Sequence, residues 1–400
     1  MNILILPKYG QMAATTRYRF SQYLPFLERE GVSFCVSPLL SDAYLAGRFQ
    51  NGRTSLAEVT RCYLSRMWLL LKVLLTSTVS VRGPVKYDLL IIHCELFPFL
   101  PPFFEFALSL LKVPYIYDFD DAIFHQYDQH PRHLVRRIFA NKISYIISKA
   151  KMVFAGSPYL AEYAKRFNPA VEDMPTVVSI KAYQTRSWPE PLKTWATVMP
   201  TTMTPLPSRP SFVIGWIGTP STTPYLSEVA EALRIFCRKY PAHGQIQIKL
   251  VGASSSLLPP MPGVPIEVIP WTESSETTII QSFDVGIMPL PDEPWARGKC
   301  AFKLLQYMAC GIPVIASPVG MNKNVVLNTE MAHRTSAADA PTGLLASSPT
   351  EWVAAFEDFY QHPSRAIAMG CQGRLCVEEN YSVEIQGPRW VKCAAKACVR

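Results

Sequence analysis

Four hundred residues, 49% hydrophobic and 18% charged, suffice for two domains with buried cores and exclude a chain disordered over most of its length. The net charge of +8 lies wholly in the first half: residues 1–200 carry 23 Lys+Arg against 15 Asp+Glu, and residues 201–400 carry 16 of each. Such a basic half suits an anionic membrane surface or lipid phosphate, although ordinary surface charge accounts for it equally well; nucleic acid is not an expected partner.

The chain opens on Ile3–Leu6, a buried strand too short for a signal segment. Ser21–Arg29 reads as a helix stopped by Gly31, and Val32–Val36 as the next strand. The stretch Leu56–Leu75 is amphipathic, with Arg61, Arg66 and Lys72 among Leu, Trp and Met. It is expected to pack on its own sheet with the arginines outward, the alternative being a bilayer surface. No segment is apolar over the roughly 20 residues a spanning helix needs. Asp88–Cys94, Pro114–Asp118 and Met152–Ala155 follow as buried parallel-type strands. Gln184–Pro210, with six prolines, reads as a linker. A second α/β series runs through Phe212–Ile217, a helix near Tyr225–Lys239, Ile246–Val251, Ile266–Ile269, Val285–Pro289 and Pro313–Ala316, then a helix near Thr350–Tyr360. This rhythm predicts two doubly wound parallel sheets. The ten cysteines include no C-x-x-C and several sit in apolar runs, as Cys94 and Cys310 do, so a reduced cytoplasmic setting is expected.

In open parallel sheets ligands bind beyond the carboxyl ends of the strands. The richest such place is 297–316, where Arg297, Gly298, Lys299 and Lys303 lead into a helix that ends at Gly311 before a new strand. Helix N-termini attract phosphate, and Lys299 and Lys303, four apart, share a face. Gln306 offers an amide for ribose hydroxyls. Lysines simply facing water are the plain alternative. Asp118-Phe119-Asp120-Asp121 places three carboxylates after a strand; a D-x-D metal site is one reading and loop caps another. After the first strand come Thr15, Thr16, Arg17 and Arg19, and no G-x-G-x-x-G follows, so this half is not an obvious dinucleotide site. His93 and Glu95 end a strand. Trp271 follows another and could equally stack on a base or fill the core. His125, Asp128, His130 and His133 match no standard zinc spacing.

These segments, with Phe283–Leu290 before the helix and Ser317–Gly320 after it, resemble the donor site of the retaining GT-B-fold glycosyltransferases of family 4, the group 1 type. Asp118–Phe124 (DFDDAIF) resembles a bacterial subgroup; Gly156–Leu160, Gly215–Thr219 and Leu250–Gly252 match in order and spacing. The resemblance implies an α/β GT-B fold, two Rossmann-like domains whose parallel sheets face an interdomain cleft. Expected boundaries are 1–183 for the acceptor-side domain, 184–210 for the linker, 211–375 for the nucleotide-sugar domain and 376–400 for a tail packing back on the first. It implies transfer of a sugar from a nucleotide-diphosphate sugar to a glycan or lipid-linked acceptor in polysaccharide biosynthesis. No cofactor and no metal are expected, and the enzyme would be cytoplasmic or peripheral on the inner membrane face. Asp120, Lys299 and Lys303 are the expected catalytic residues. Gly218, Thr219, Thr222, Gly252, Trp271, Arg297, Gly298, Lys299, Lys303, Leu304 and Gln306 are expected at the donor. Arg17, Arg19, His93, Glu95, Asp120 and Asp121 are expected on the acceptor side. The family pattern has two glutamates eight apart where this chain has Gly298 and Gln306, and an Arg and a Lys near Thr219–Thr223 that are missing. Two rival functions therefore stand: a binding or scaffold protein without catalysis, and a sugar-nucleotide epimerase on the same scaffold.

Overall fold

The computed structural model describes residues 1–51, 55–78, 86–187, 211–241, 245–328 and 340–398. Most of the 184–210 stretch, from 188 onward, lies outside them.

The chain divides into two compact units. The first holds Met1–Val177, Gly298–Cys300 and Val383–Arg400; the second holds Val178–Arg297 and Ala301–Ser382. Each is built on one six-stranded parallel sheet.

The first sheet contains β1 (Asn2–Leu6), β2 (Ser33–Val36), β3 (Leu89–His93), β4 (Tyr115–Phe119), β5 (Met152–Ala155) and β6 (Val171–Asp173), in the order β2-β1-β3-β4-β5-β6. Every residue of β3 and β4 is buried, as their unbroken apolar runs require of a sheet covered on both faces. Strand order reverses between β1 and β3, so the loops leaving these two strands border the switch point. The C-terminal helix Val383–Cys398 belongs to this unit. Its Trp390 is buried and stacks on Tyr23, ring centroids 5.3 Å apart, and its Gly387 lies so close to Phe26 that a Cβ there would sit 2.6 Å from the ring.

The Leu56–Thr78 helix departs from expectation. Arg66 points inward, is buried, and donates to the carbonyls of Pro7 (3.2 Å) and Ser37 (2.6 Å), while Leu64, Trp68, Leu71 and Leu75 face outward. The reason is local. The loops after β1 and β2 present carbonyl oxygens to this helix, and the Arg66 guanidinium donates to one from each, Pro7 and Ser37.

The second sheet contains β7 (Phe212–Ile217), β8 (Ile246–Val251), β9 (Ile266–Ile269), β10 (Val285–Met288), β11 (Val314–Ala316) and β12 (Gly343–Leu345), ordered β12-β11-β10-β7-β8-β9. Its switch point lies between β7 and β10. On one face the core gathers Trp216, Leu233, Phe236, Trp352 and Phe356 from β7 and the helices Ser227–Lys239 and Pro349–Gln361. Ser348 and Glu351 cap the latter reciprocally, as the S-x-x-E pattern dictates.

Candidate functional site

The unit built on the second sheet carries a cationic site at its switch point. β10 is followed by the Phe302–Ala309 helix and then by β11, so this crossover helix starts at the carboxyl end of the sheet. Ala301, at its cap position, is left-handed (φ 53°) and has no side-chain oxygen to offer the first-turn amides. Lys303 lies in that turn. Its Nζ sits 4.5 Å from the centroid of the Trp216 ring and 3.4 Å from Thr222 Oγ1. Thr219 and Thr222 form a reciprocal capping box, and Ser221 Oγ lies 2.9 Å from Thr219 Oγ1, so the hydroxyl that meets the ammonium belongs to a cluster of three. Two glycines keep the floor open. A Cβ on Gly218 would strike Trp216, and one on Gly252 (φ 73°) would sit 2.3 Å from the Gly218 carbonyl.

Beneath lies a polar cluster whose centre the sequence did not single out. Glu276, buried, accepts from Trp271 Nε1 (2.5 Å), Gln306 Nε2 (2.8 Å) and the Tyr183 hydroxyl. Gln306 Nε2 also lies 2.9 Å from the Tyr183 oxygen. Both amide protons of Gln306 are thus committed, which fixes which end of the amide is the acceptor. Glu276 and Tyr183 left no motif because they join Gln306 only through the fold, 30 and 123 residues away. Leu304 is fully buried and serves the core. Arg297 is exposed and binds Asp292 through two nitrogens at 2.7 and 3.2 Å.

The second constellation lies in the unit built on the first sheet. Asp118 lies in β4 and Asp120 and Asp121 follow it directly, and each has a different partner. Arg19, expected toward an acceptor, is buried and forms a fork on Asp118, Nε at 3.1 Å and Nη2 at 2.5 Å, with Nη1 donating to the Met174 carbonyl. Glu95, also expected there, is buried and accepts from Lys142 Nζ (2.5 Å) and the Tyr127 hydroxyl (2.6 Å). Both are held inside by charge pairing rather than presented to a ligand. Arg17 is half-buried and donates to the carbonyls of Gln11 and Met12 in the loop after β1.

His93 Nε2 lies 3.2 Å from Asp120 Oδ1 and 3.3 Å from Cys94 Sγ. Burial acts against protonation of His93, but Cys94 and Asp120 beside it raise it well above the ordinary imidazole value. Burial likewise acts to raise the Asp120 carboxyl, yet His93, Arg19 and Lys299 together hold it below the usual carboxylate range. Among the described residues, His93, Cys94 and Asp120 are the group that brings three metal-ligating atoms within 4.8 Å. His125 is occupied elsewhere, by Asp128 (2.9 Å) and the Tyr159 hydroxyl (2.8 Å).

The segment Gly298–Cys300 packs on the same turn. Lys299 Nζ donates to Asp121 Oδ1 (2.9 Å), Cys300 Sγ lies 2.9 Å from the Asp120 carbonyl, and Ser157 Oγ donates to the Gly298 carbonyl (3.2 Å). A Cβ on Gly298 would sit 2.6 Å from Ala122 Cβ. A glutamate at this position has no room, which gives the departure at Gly298 a steric reason.

The family model described as "Glycosyl transferases group 1" matches residues 212–362. Solved structures cover nearly the whole chain. The Anabaena protein HepE in complex with UDP and glucose is 14% identical, over 99% of this chain and 100% of its own, with TM-score 0.64. Sucrose-phosphate synthase from Thermosynechococcus elongatus is 14% identical, over 99% and 98%, with TM-score 0.61. A UDP-forming trehalose-phosphate synthase from Burkholderia xenovorans is 12% identical, over 100% and 99%, with TM-score 0.60. None of the curated proteins compared by sequence matches. At these identities the likeness shows the fold alone: an α/β chain with two six-stranded parallel sheets that matches GT-B glycosyltransferase structures.

Proposed function

We propose that the chain is a glycosyltransferase that takes a sugar from a nucleotide-diphosphate donor. One observation carries the reading. Lys303 stands in the first turn of a crossover helix at the switch point of the second sheet, its ammonium 3.4 Å from Thr222 Oγ1, which lies in a hydroxyl cluster with Thr219 and Ser221. A diphosphate there would meet an ammonium, hydroxyl donors and helix amides. The family match over this unit and the UDP held by HepE support the same assignment.

Transfer breaks the bond between the anomeric carbon and the diphosphate and forms one to an acceptor hydroxyl, whose proton passes to the departing phosphate. Negative charge grows on that phosphate, and Lys303 stabilises it more strongly in the transition state than in the bound donor. Because a lysine supplies this charge, turnover is expected to persist in the presence of a chelator. Gln306, its amide protons bound by Glu276 and Tyr183, offers its carbonyl oxygen to a ribose hydroxyl. The acceptor, a glycan or a lipid-linked sugar, is assigned to the other unit, with Asp120, oriented by His93, and Arg17 as its polar contacts. Retention of anomeric configuration follows the resemblance.

A second reading, a binder of nucleotide sugars without turnover, is favoured by the steric block at Gly298. Calorimetric titration with UDP, followed by product analysis with a panel of nucleotide sugars, separates the two. Binding with sugar transfer or donor hydrolysis supports the enzyme. Binding without either supports the second reading, and no affinity for any nucleoside diphosphate overturns both.

A further inference from the structure

Two helices of the unit built on the first sheet are apolar on both faces: Leu70, Val73 and Leu108 are buried, yet further apolar rows face outward. On the Leu56–Thr78 helix, Leu64, Trp68, Leu71 and Leu75 fall at i, i+4, i+7 and i+11, one continuous stripe, and they are 53%, 61%, 38% and 62% exposed. The charged residue Arg66 is the one turned inward. The neighbouring Phe103–Leu110 helix is similar: Glu105 is buried beside Leu108, while Phe103, Phe106 and Leu110 are 68%, 55% and 69% exposed. The two helices pack on each other, and the ring pairs Tyr63–Phe97 (5.5 Å) and Phe97–Phe104 (5.4 Å) join them.

A third element continues the surface. Phe99, exposed, lies edge-on to His130 (6.1 Å), just before the His133–Phe139 helix, which buries nothing and exposes Leu134 and Ile138. Exposed apolar side chains scattered singly need no explanation, but rows of them on two helices that pack on each other, with Phe99 leading on to a third, mark a contact surface.

The charges around the apolar rows choose the occupant. Arg61 and Lys72 flank the first stripe and are exposed, and from residue 61 to 78 that helix has no acid. Arg132 and Arg137 are exposed beside Leu134 and Ile138, and that helix also has no acid. The acid of the middle helix, Glu105, is buried. Aromatic and leucine side chains bordered by Arg61, Lys72, Arg132 and Arg137, with the half-buried Glu58 confined to the first turn of the first helix, are the composition of an interfacial surface on anionic lipid. Among the described residues no helix is long and apolar enough to cross a membrane, so contact with a bilayer through this face would be at its surface.

We infer that the face formed by the helices Leu56–Thr78, Phe103–Leu110 and His133–Phe139 docks the protein on an anionic lipid bilayer, with Trp68 and Phe103 as apolar anchors and Lys72 and Arg137 as headgroup contacts. The inference stands apart from the donor reading. It also fits a lipid-borne acceptor, because the loop that ends at Phe103 begins at His93, the partner of Asp120.

The test is flotation of the full chain with vesicles of phosphatidylcholine alone or with about 30% phosphatidylglycerol. The expected result is recovery with the anionic vesicles only, falling as salt rises. Trp68→Ser with Phe103→Ser is expected to lower binding about tenfold, and Lys72→Glu with Arg137→Glu to abolish the preference for anionic lipid. All four side chains are exposed, so the thermal midpoint and UDP affinity are expected to stay unchanged, which keeps this result separate from the fate of the donor site. Failure of the wild-type chain to float, or unchanged flotation of both double variants, overturns the inference. So does a concentration-dependent dimer, seen by light scattering, that Trp68→Ser with Phe103→Ser dissolves; that outcome assigns the face to a second copy of the chain.

Discussion

The two N-terminal arginines show how little a residue's type says about its task. Both follow the first strand two positions apart, yet Arg19 is locked on Asp118 inside the unit and Arg17 stays half-buried on loop carbonyls. Removing one partner of a buried ion pair strands the other charge. Arg19→Ala is therefore expected to cost about 3–5 kcal/mol of stability, whereas Arg17→Ala leaves the melting midpoint unchanged and raises the acceptor KM. Equal melting curves for the two variants would contradict this division. Lys303→Ala is expected to weaken UDP binding by roughly tenfold or more, since it removes one charge-assisted contact of about 1.5–3 kcal/mol; calorimetry checks it. The His93–Asp120 pair makes a pH prediction. The raised histidine contributes stability that is fully present below its unfolded value of about 6.5 and is lost as pH rises through its folded value. The lowered aspartate contributes stability present above about 3.9 and lost as pH falls through its folded value. As pH rises through that folded histidine value the wild-type midpoint is expected to fall relative to His93→Gln, a difference that scanning calorimetry as a function of pH resolves.

At the scale of elements, strands were the most legible feature. β7, β8 and β9 lie at the residues expected of them: β7 is buried throughout, as a strand covered on both faces must be, whereas β8 and β9 alternate, with Gln247 and Glu267 exposed between apolar neighbours. β6 and β12, three residues each, are too short to leave a period. The helix Leu56–Thr78 was legible as a helix but not in its orientation, since amphipathicity says that two faces differ and not which one is covered. The 298 position shows the same limit. Sequence registers only a glycine where the resemblance has a glutamate, and the structure supplies Ala122 as the reason. Gly298→Glu is accordingly expected to destabilise by about 1–3 kcal/mol rather than to improve turnover. Partial recovery of the melting midpoint by Ala122→Gly is the check.

At the scale of the molecule, each sheet reverses its strand order once, and the candidate residues gather at the two reversals: Arg17 and His93 beyond β1 and β3, Gly218 and Lys303 beyond β7 and in the crossover after β10. Topology brings together positions that lie far apart in the chain. The C-terminal helix is the other long-range element. It joins the unit that begins the chain and fills its core with Trp390. Trp390→Ala is expected to cost about 3–5 kcal/mol and to lower the unfolding midpoint seen by calorimetry.

Periodicity, turn residues and apolar runs by themselves determined the α/β class, the two series of strands and the place of the cationic helix, since each follows from local rules about which residues can pair, turn or be buried. The tertiary structure alone decided which charges are spent inside and which stay at the surface. Arg19 and Glu95 went inward because Asp118 and Lys142, from other elements, met them there; Glu276 and Tyr183 joined Gln306; and Trp68 turned outward because Arg66 was needed within. Pairing energies depend on distances between elements, and those distances exist only once the sheets have formed.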